Sequence, residues 1–112
     1  MIVNVLGVNQ PKLLAFNDYC GYDLTLNDLA FLQFIQKASL FEDTLEHDGA
    51  IYTRIRLDTV QKALPILKIE TQEQLVNYIN NLSEAEVVDG IVSEENKDLY
   101  LCVNEVGEKI LN

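Results

Sequence analysis

In one segment of the chain, hydrophobic patterns typical of strands and of helices follow one another in an order that few folds contain. A strand-like alternation at residues 52–56 is followed by an amphipathic helical period at residues 57–64. Pro65 cannot continue that helix, so the chain is expected to turn there. A second helical period at residues 71–82 precedes two strand-like runs around a polar tip within residues 87–103. This order predicts an α+β domain, mostly helical with a small β wing, of the winged helix-turn-helix class.

The remaining residues are expected to complete one domain of 112 residues. Its expected parts are an N-terminal arm at 1–9, leading helices at 10–40, the helix-turn-helix and wing at 52–103, and a short C-terminal helix at 104–112. Residues 41–50 are polar and acidic, and they indicate a loop that turns at Asp48 and Gly49. Apolar residues, and a glycine after them, indicate that the arm is extended and packs on the body of the domain.

Helical phasing predicts which side chains form the core. The expected core residues are Leu29, Leu32, Ile35, Leu57, Val60, Leu64, Leu67, Leu75, Ile79 and Leu82. By the same phasing Ala63 and Val76 should also face inward. Ile66 and Ile69, which follow Pro65, are too apolar for an exposed loop and should close the core as well. In the first strand of the wing, Asp89 and Gly90 interrupt an apolar run and suggest a β-bulge.

Two helix starts have the spacing of a capping box, in which two side chains exchange hydrogen bonds with the first turn. Thr25 is followed three residues later by Asp28, at the start of a long central helix that runs to about Leu40. Thr71 is followed three residues later by Gln74, at the start of the second helix of the motif. Both helices are therefore expected to begin at these threonines.

Charge and composition exclude several classes of protein. The formal net charge is −10, and the hydrophobic content of 48% is typical of a globular chain. No apolar run approaches the roughly 20 residues that cross a bilayer, and the N-terminus lacks the basic region of a signal peptide. A cytoplasmic protein that does not contact membranes is expected. In a reducing compartment Cys20 and Cys102, which have apolar neighbours, should be buried thiols.

No set of residues predicts catalysis, a metal or a cofactor. His47 lies between Glu46 and Asp48, without a serine, a cysteine or a second histidine at a useful spacing. The acidic residues around it lack the spacing of a calcium loop, and no glycine-rich phosphate loop or zinc-type Cys/His pair is present. We therefore expect a protein that is not an enzyme and needs no cofactor.

Several local features together are similar to a known pattern. These are a strand that starts at Tyr52, a turn centred on Pro65, a helix capped by Thr71, and a long upstream helix opened by residues 21–30. In these features residues 10–103 resemble the N-terminal winged-helix domain of phage and mobile-element replisome organisers, which are replication initiators. The resemblance implies a winged helix-turn-helix fold, a role in DNA replication and double-stranded DNA as the partner.

The candidate nucleic-acid-binding residues lie on and around the second helix of the motif. Four of the eight basic side chains fall between positions 54 and 68, which in a winged helix lie near the DNA backbone. Amide side chains on the helix are suited to hydrogen-bond adenine. The candidate set is Arg54, Arg56, Lys62, Lys68, Gln72, Gln74, Asn77, Asn81 and Lys97. In the alternative interpretation the cations pair with the abundant carboxylates, and the amides form a neutral solvent-facing surface.

Two functions of different class remain open. The first is a DNA-binding domain of a phage or mobile-element replication initiator or regulator, either a whole protein or a fragment of a longer initiator. Its isolated binding should be weak, because the second helix has no Lys or Arg and the net charge repels phosphate. A homo-oligomer or a basic region elsewhere would then supply cations. The second is an acidic protein-interaction module that meets a basic protein partner or mimics DNA. The resemblance favours the first, and the charge favours the second.

Overall fold

The computed structural model describes the backbone of residues 4–5 and 8–9, and residues 17, 24–95 and 97–111 in full. These residues form an α+β domain that contains a four-stranded antiparallel sheet. In chain order its elements are β1 (Asn4–Val5), β2 (Val8–Asn9), α1 (Leu26–Ala38), β3 (Thr44–His47), β4 (Ala50–Arg54), α2 (Leu57–Ala63), a 3-10 turn (Pro65–Leu67), α3 (Gln72–Glu84), β5 (Val88–Val92), β6 (Leu99–Val103) and α4 (Glu105–Leu111). The arm contains the antiparallel pair β1–β2. The predicted first helix, at about residues 10–19, lies outside the described residues except for Asn17, which is helical.

The central helix α1 begins where the sequence predicts. The Thr25 hydroxyl accepts a hydrogen bond from the Asp28 amide, and the Asp28 carboxylate accepts one from the Thr25 amide at 2.9 Å, which completes the capping box. Beyond this cap, Leu29, Phe31 and Leu32 are 0% exposed. Because apolar residues occupy several sides of α1, the helix is buried on several sides and forms the centre of the core.

The sheet has the strand order β3-β4-β6-β5. Thr53 of β4 lies opposite Leu101 of β6, and Leu101 lies opposite Gly90 of β5. The pairing of β5 with β6 is regular, with Asp89 opposite Cys102, so the predicted bulge is wrong. The glycine has a packing role instead, since a Cβ at Gly90 would lie 3.1 Å from a methyl carbon of Leu101.

Residues 41–50 are not the loop that the sequence suggests. Thr44–His47 is a strand, and it forms a hairpin with β4. The turn of this hairpin is the expected Asp48-Gly49 pair, with φ angles of 50° and 81°. Two successive positive φ angles suit the right-handed twist of a two-residue hairpin. The strand was missed because only Leu45 is an apolar, half-buried residue in β3, so the sequence shows no alternation there.

The connection between α2 and α3 is a tight 3-10 turn that starts at Pro65. Leu67 and Ile69 are 7% and 5% exposed, as predicted for side chains that close the core. Ile66, predicted to be buried, is 68% exposed. With three residues per turn, the side chain beside a buried Leu67 points away from the core. Ala63 is also exposed, at the last position of α2, where the helix leaves the core.

The helix α3 has the predicted cap and almost the predicted phase. Thr71 and Gln74 form the second capping box. Leu75 and Leu82 are 0% exposed and Ile79 is 6% exposed, whereas Val76 is 39% exposed and lies at the edge of the buried face. All ten predicted core residues belong to the hydrophobic core or pack against it. Those only partly buried are Leu57 and Leu64.

The helix α4 is tied to the segment between α3 and β5. The Asn104 side chain caps the helix: it accepts a hydrogen bond from the Gly107 amide at 3.1 Å and donates one to the Glu86 carbonyl at 2.8 Å. The Asn104 amide donates to the Val87 carbonyl. These bonds hold the start of α4 against the chain that leaves α3. Of the two cysteines, Cys20 lies outside the described residues, and Cys102, expected to be buried, is a half-buried free thiol on β6.

Candidate functional site

The first candidate cation, Arg54, lies at the end of β4 and bridges two carboxylates. Its guanidinium lies 2.6 Å from an Asp98 carboxylate oxygen and 3.4 Å from an Asp43 carboxylate oxygen. Asp43 precedes β3 and Asp98 precedes β6, so the arginine joins the base of the β3–β4 hairpin to the tip of the β5–β6 hairpin. The side chain is 29% exposed. Arg54 is therefore already neutralised within the domain.

The second candidate cation, Arg56, is held by one carboxylate in a bidentate pair. Its Nε and Nη2 donate to the two oxygens of Glu42 at 3.1 and 2.9 Å, and Nη2 also donates to the Thr59 hydroxyl. The hydrogen bond to Glu42, with its negative charge, raises the pKa of Arg56 above its ordinary value. The Glu42 side chain is only 5% exposed. If Arg56 paired with a phosphate instead, a shielded carboxylate would be left unpaired. For both arginines the geometry agrees with the alternative interpretation of the sequence.

Three other candidate cations are exposed, and within the described part of the chain none of them forms an ion pair. Lys62 is in the last turn of α2. Lys68 follows the 3-10 turn and Lys97 lies at the β5–β6 tip, where their φ angles of 52° and 63° place both in the left-handed region. These three lysines are available to contact a ligand.

A groove of about 290 Å³ lies between the 3-10 turn and α3. Its lining residues are Leu67, Lys68, Ile69, Gln74, Asn77, Tyr78 and Asn81. Four of the nine candidate residues therefore meet in one concavity, which we call the α3 groove. Gln72 is exposed at the first position of α3, but it does not line the groove, and neither do Lys62 and Lys97.

The α3 groove combines a cation, amides and an aromatic ring. Asn77 and Asn81 lie one helical turn apart and are exposed, so each offers both a donor and an acceptor. Tyr78 is half-buried and stacks on Phe31, with ring centroids 5.9 Å apart and an angle of 11° between the planes. This packing fixes the position of the tyrosine ring beside the amides.

Gln74 has a structural role that limits its contribution to a binding site. Its side-chain oxygen accepts hydrogen bonds from the Glu70 amide at 2.6 Å and from the Thr71 amide at 3.2 Å. The oxygen is thus engaged in the cap of α3, and the side-chain NH₂ group remains free to donate. A bidentate contact to adenine requires both groups, so Gln74 can offer a base at most one of them.

The carboxylate partners of the two arginines were not identified from the sequence. Glu42 lies 14 positions from Arg56, and Asp43 lies 11 positions from Arg54. Both belong to the segment that the sequence predicts as a loop. The β3–β4 hairpin, which the sequence does not indicate, places them close to the arginines. A missed strand therefore concealed the pairing of the candidate cations.

Three further findings concern other classes of site. Among the described residues no group of three or more histidine, cysteine or acidic side chains is arranged to hold a metal ion. None of the helices in the described ranges has the length and apolar composition of a membrane span. Comparisons with protein-family models, with curated proteins and with solved structures give no match for this chain.

Proposed function

We propose that this chain is a winged-helix, DNA-binding domain of a phage or mobile-element replication initiator or regulator. The order of α1, β4, α2, the turn, α3 and the hairpin β5–β6 supports this fold, as does the strand order β4-β6-β5. In such a domain α3 is the recognition helix and the tip of β5–β6 is the wing. The observation that carries the proposal is the α3 groove, which places Lys68 beside the exposed amides Asn77 and Asn81.

Binding by the isolated domain is expected to be weak and sensitive to salt. Lys62, Lys68 and Lys97 are the candidate cations that lack a carboxylate partner within the described part of the chain, and three phosphate contacts give only modest affinity. The net charge of −10 opposes approach to DNA at long range. We therefore propose that the domain acts as a homo-oligomer or beside a basic polypeptide, which would supply the missing positive charge.

A second candidate function is an acidic protein-interaction module, and the pairing of Arg54 and Arg56 with carboxylates favours it. Neutralised arginines weaken the case for phosphate contacts, whereas Val76 is exposed on α3 and Ile66 on the turn before it. Exposed apolar side chains beside neutral amides are suited to a protein interface. Under this function the carboxylates of α3 would meet a basic partner.

We also propose that the domain is not an enzyme. His47 is exposed at the end of β3, and its Nε2 lies 3.3 Å from the carboxylate of the neighbouring Asp48, which is itself 90% exposed. An exposed pair of this kind holds no reactive group against a substrate.

The deciding experiment is a titration of a fluorescent 30-base-pair duplex at about 50 mM salt, followed by anisotropy. Lys68→Ala should weaken binding to all sequences alike and flatten the salt dependence by about one unit. The matched control is Lys109→Ala, which removes the same charge from α4 and should have little effect. Asn77→Ala should instead change the sequence preference and leave the salt dependence unaltered.

Failure of the intact chain to bind duplex at tens of micromolar would end the case for autonomous DNA recognition. The second function would then be tested by Glu73→Gln and Glu84→Gln on the exposed face of α3. Both substitutions should lower the affinity for a basic partner, and neither should alter the folded state, because both residues are exposed.

A further inference from the structure

The four-stranded sheet has a second face, opposite the one that packs on α1. Leu101 and Val103 of β6 belong to the hydrophobic core with α1. Because side chains alternate along a strand, Tyr100 points to the other face, where the register of β4 also places Tyr52. These tyrosines are only 6% and 9% exposed. The second face therefore carries large, shielded apolar groups.

This second face is concave. A depression of about 660 Å³ has Leu45 and His47 of β3 on one side and Ile91 of β5 on the other, with Tyr100 between them. Since β3 and β5 are the outer strands of the sheet, the depression spans the width of the sheet between them. We call this depression the sheet trough. Its residues differ from those of the α3 groove.

The trough combines an apolar surface with an acidic rim. Leu45 and Ile91 are half-buried, so part of their apolar surface is open to a ligand. Glu94 and Glu95 line the end of the trough at the β5–β6 tip, and both are exposed. Apolar walls beside carboxylates that form no ion pair with any described residue attract a ligand that is apolar and positively charged.

Two further carboxylates lie on the same face. Asp89 of β5 is exposed and lies opposite Cys102, which shares this face with Tyr52. Asp48 lies in the turn of the β3–β4 hairpin. The pKa of Tyr52 is raised, first by burial and then by the charges of Asp89, Cys102 and Asp48. Among the described residues, the arginine of this face, Arg54, is already paired with carboxylates. The face is thus negative overall.

We propose that the sheet trough binds a short cationic, amphipathic segment of a partner polypeptide, in which Lys or Arg alternates with large apolar residues. In an extended segment alternate side chains point to opposite sides, so apolar groups fill the trough while the cations reach the rim carboxylates. The walls are strands of four and five residues, so roughly four to six residues of partner are accommodated. A second copy of this chain would bring its own excess of carboxylates, and its charge opposes docking there.

The test uses the full chain and a fluorescein-labelled probe, the octapeptide Lys-Val-Lys-Leu-Lys-Val-Lys-Leu, followed by anisotropy at about 100 mM salt. The double variant Glu94→Lys/Glu95→Lys should weaken probe binding by about tenfold. The matched control Glu70→Lys/Glu105→Lys makes the same charge change at exposed positions outside the trough and should leave the affinity within about twofold. The variant Glu73→Lys/Glu84→Lys tests α3 as the alternative site for the cationic probe. A probe with Glu in place of Lys should not bind.

A second pair of variants tests the apolar part of the site. Ile91→Ser should weaken probe binding by about threefold, whereas Val106→Ser, a similar change at an exposed position of α4, should have no effect. Ile91 is only half-buried and Val106 is exposed, so both variants should fold.

Several outcomes would overturn the proposal. Absence of binding by the intact chain at about 100 µM probe would do so, as would equal affinities for the trough variant and its charge-matched control. Loss of binding only in the Glu73→Lys/Glu84→Lys variant would place the basic partner on α3. A dimer in sedimentation that the trough variant dissociates would identify a second copy of the chain as the occupant.

Discussion

At Gly107 the first turn of α4 passes so close to the preceding chain that a side chain has no room. A Cβ there would lie 2.5 Å from the Val87 carbonyl oxygen and 2.8 Å from a methyl carbon of Val103. The nearer atom belongs to the backbone, which cannot rotate away. Gly107→Ala should therefore lower the free energy of unfolding by about 1–3 kcal/mol in urea denaturation. The control is Val106→Ala on the same helix, and a loss below about half a kcal/mol for Gly107→Ala would contradict the close approach.

Tyr52 should make the stability of the domain fall at alkaline pH. Burial raises its pKa in the folded state above the ordinary value of 10.0, and nearby carboxylates add to the effect. Folding therefore favours the neutral phenol. Its contribution to the free energy of unfolding is complete below pH 10 and is lost as the pH rises through the folded-state pKa. Between pH 9 and 11 the unfolding free energy should fall less steeply for Tyr52→Phe than for the wild type. Parallel curves for the two proteins would show that this tyrosine is not responsible.

Within α3, adjacent positions should respond very differently to the same substitution. Leu75 is 0% exposed, and Leu75→Ala should cost about 2–5 kcal/mol. Val76 is 39% exposed, and Val76→Ala should cost less than about 1 kcal/mol. Urea denaturation of the two variants measures the phase of the helix, and similar losses would mean that α3 is rotated from the position described.

The cap of α3 can be separated from its binding role by changing Gln74 to Glu. Glutamate is accepted at this position of a capping box, and negative charge is favourable in the first turn of a helix. Gln74→Glu should therefore retain stability within about half a kcal/mol while it weakens duplex binding, because it brings a carboxylate to the α3 groove. Gln74→Ala serves as the comparison, since it removes the cap and should cost roughly 1 kcal/mol. An unchanged duplex affinity for Gln74→Glu would exclude the groove from the DNA contact.

Elements whose cause is local could be predicted from the sequence. The capping boxes at Thr25 and Thr71 depend on residues three positions apart, and the turn at Pro65 depends on a missing amide. In contrast, β3 depends on pairing with β4 and has little apolar pattern of its own. Ile66 was assigned to the core by composition, but the tighter geometry of the turn decides where it points.

The candidate site could be predicted from the sequence only in part, for the same reason. Helical spacing places Asn77 and Asn81 on one side of α3, and the structure adds Lys68 to that side through the turn. The pairing of Arg56 with Glu42 joins residues that come together only through the β3–β4 hairpin. The sequence therefore predicted which residues are cationic, but not which of them are already neutralised.

For the whole molecule, the excess of negative charge should make stability rise with salt. The chain has 18 acidic and 8 basic side chains, so repulsion within the folded state outweighs attraction. Raising NaCl from about 20 to 300 mM shortens the Debye length to below about 6 Å and should raise the Tm by a few degrees. KCl at equal ionic strength is the control for ion-specific effects. A lower Tm in salt would mean that the ion pairs of Arg54 and Arg56 dominate instead.

The left-handed backbone at Lys68 and Lys97 has a consequence for how this surface can evolve. A residue with a side chain is less stable than glycine in that conformation by about 1 kcal/mol, so replacement by glycine would strengthen the fold at either position. Drift under selection for stability alone leads such positions toward glycine or asparagine. If a lysine is retained there among relatives, its charge has a role that offsets the cost in stability. Among relatives of this chain, a basic residue retained at these two turns would therefore mark the lineages in which the positive charge has a function.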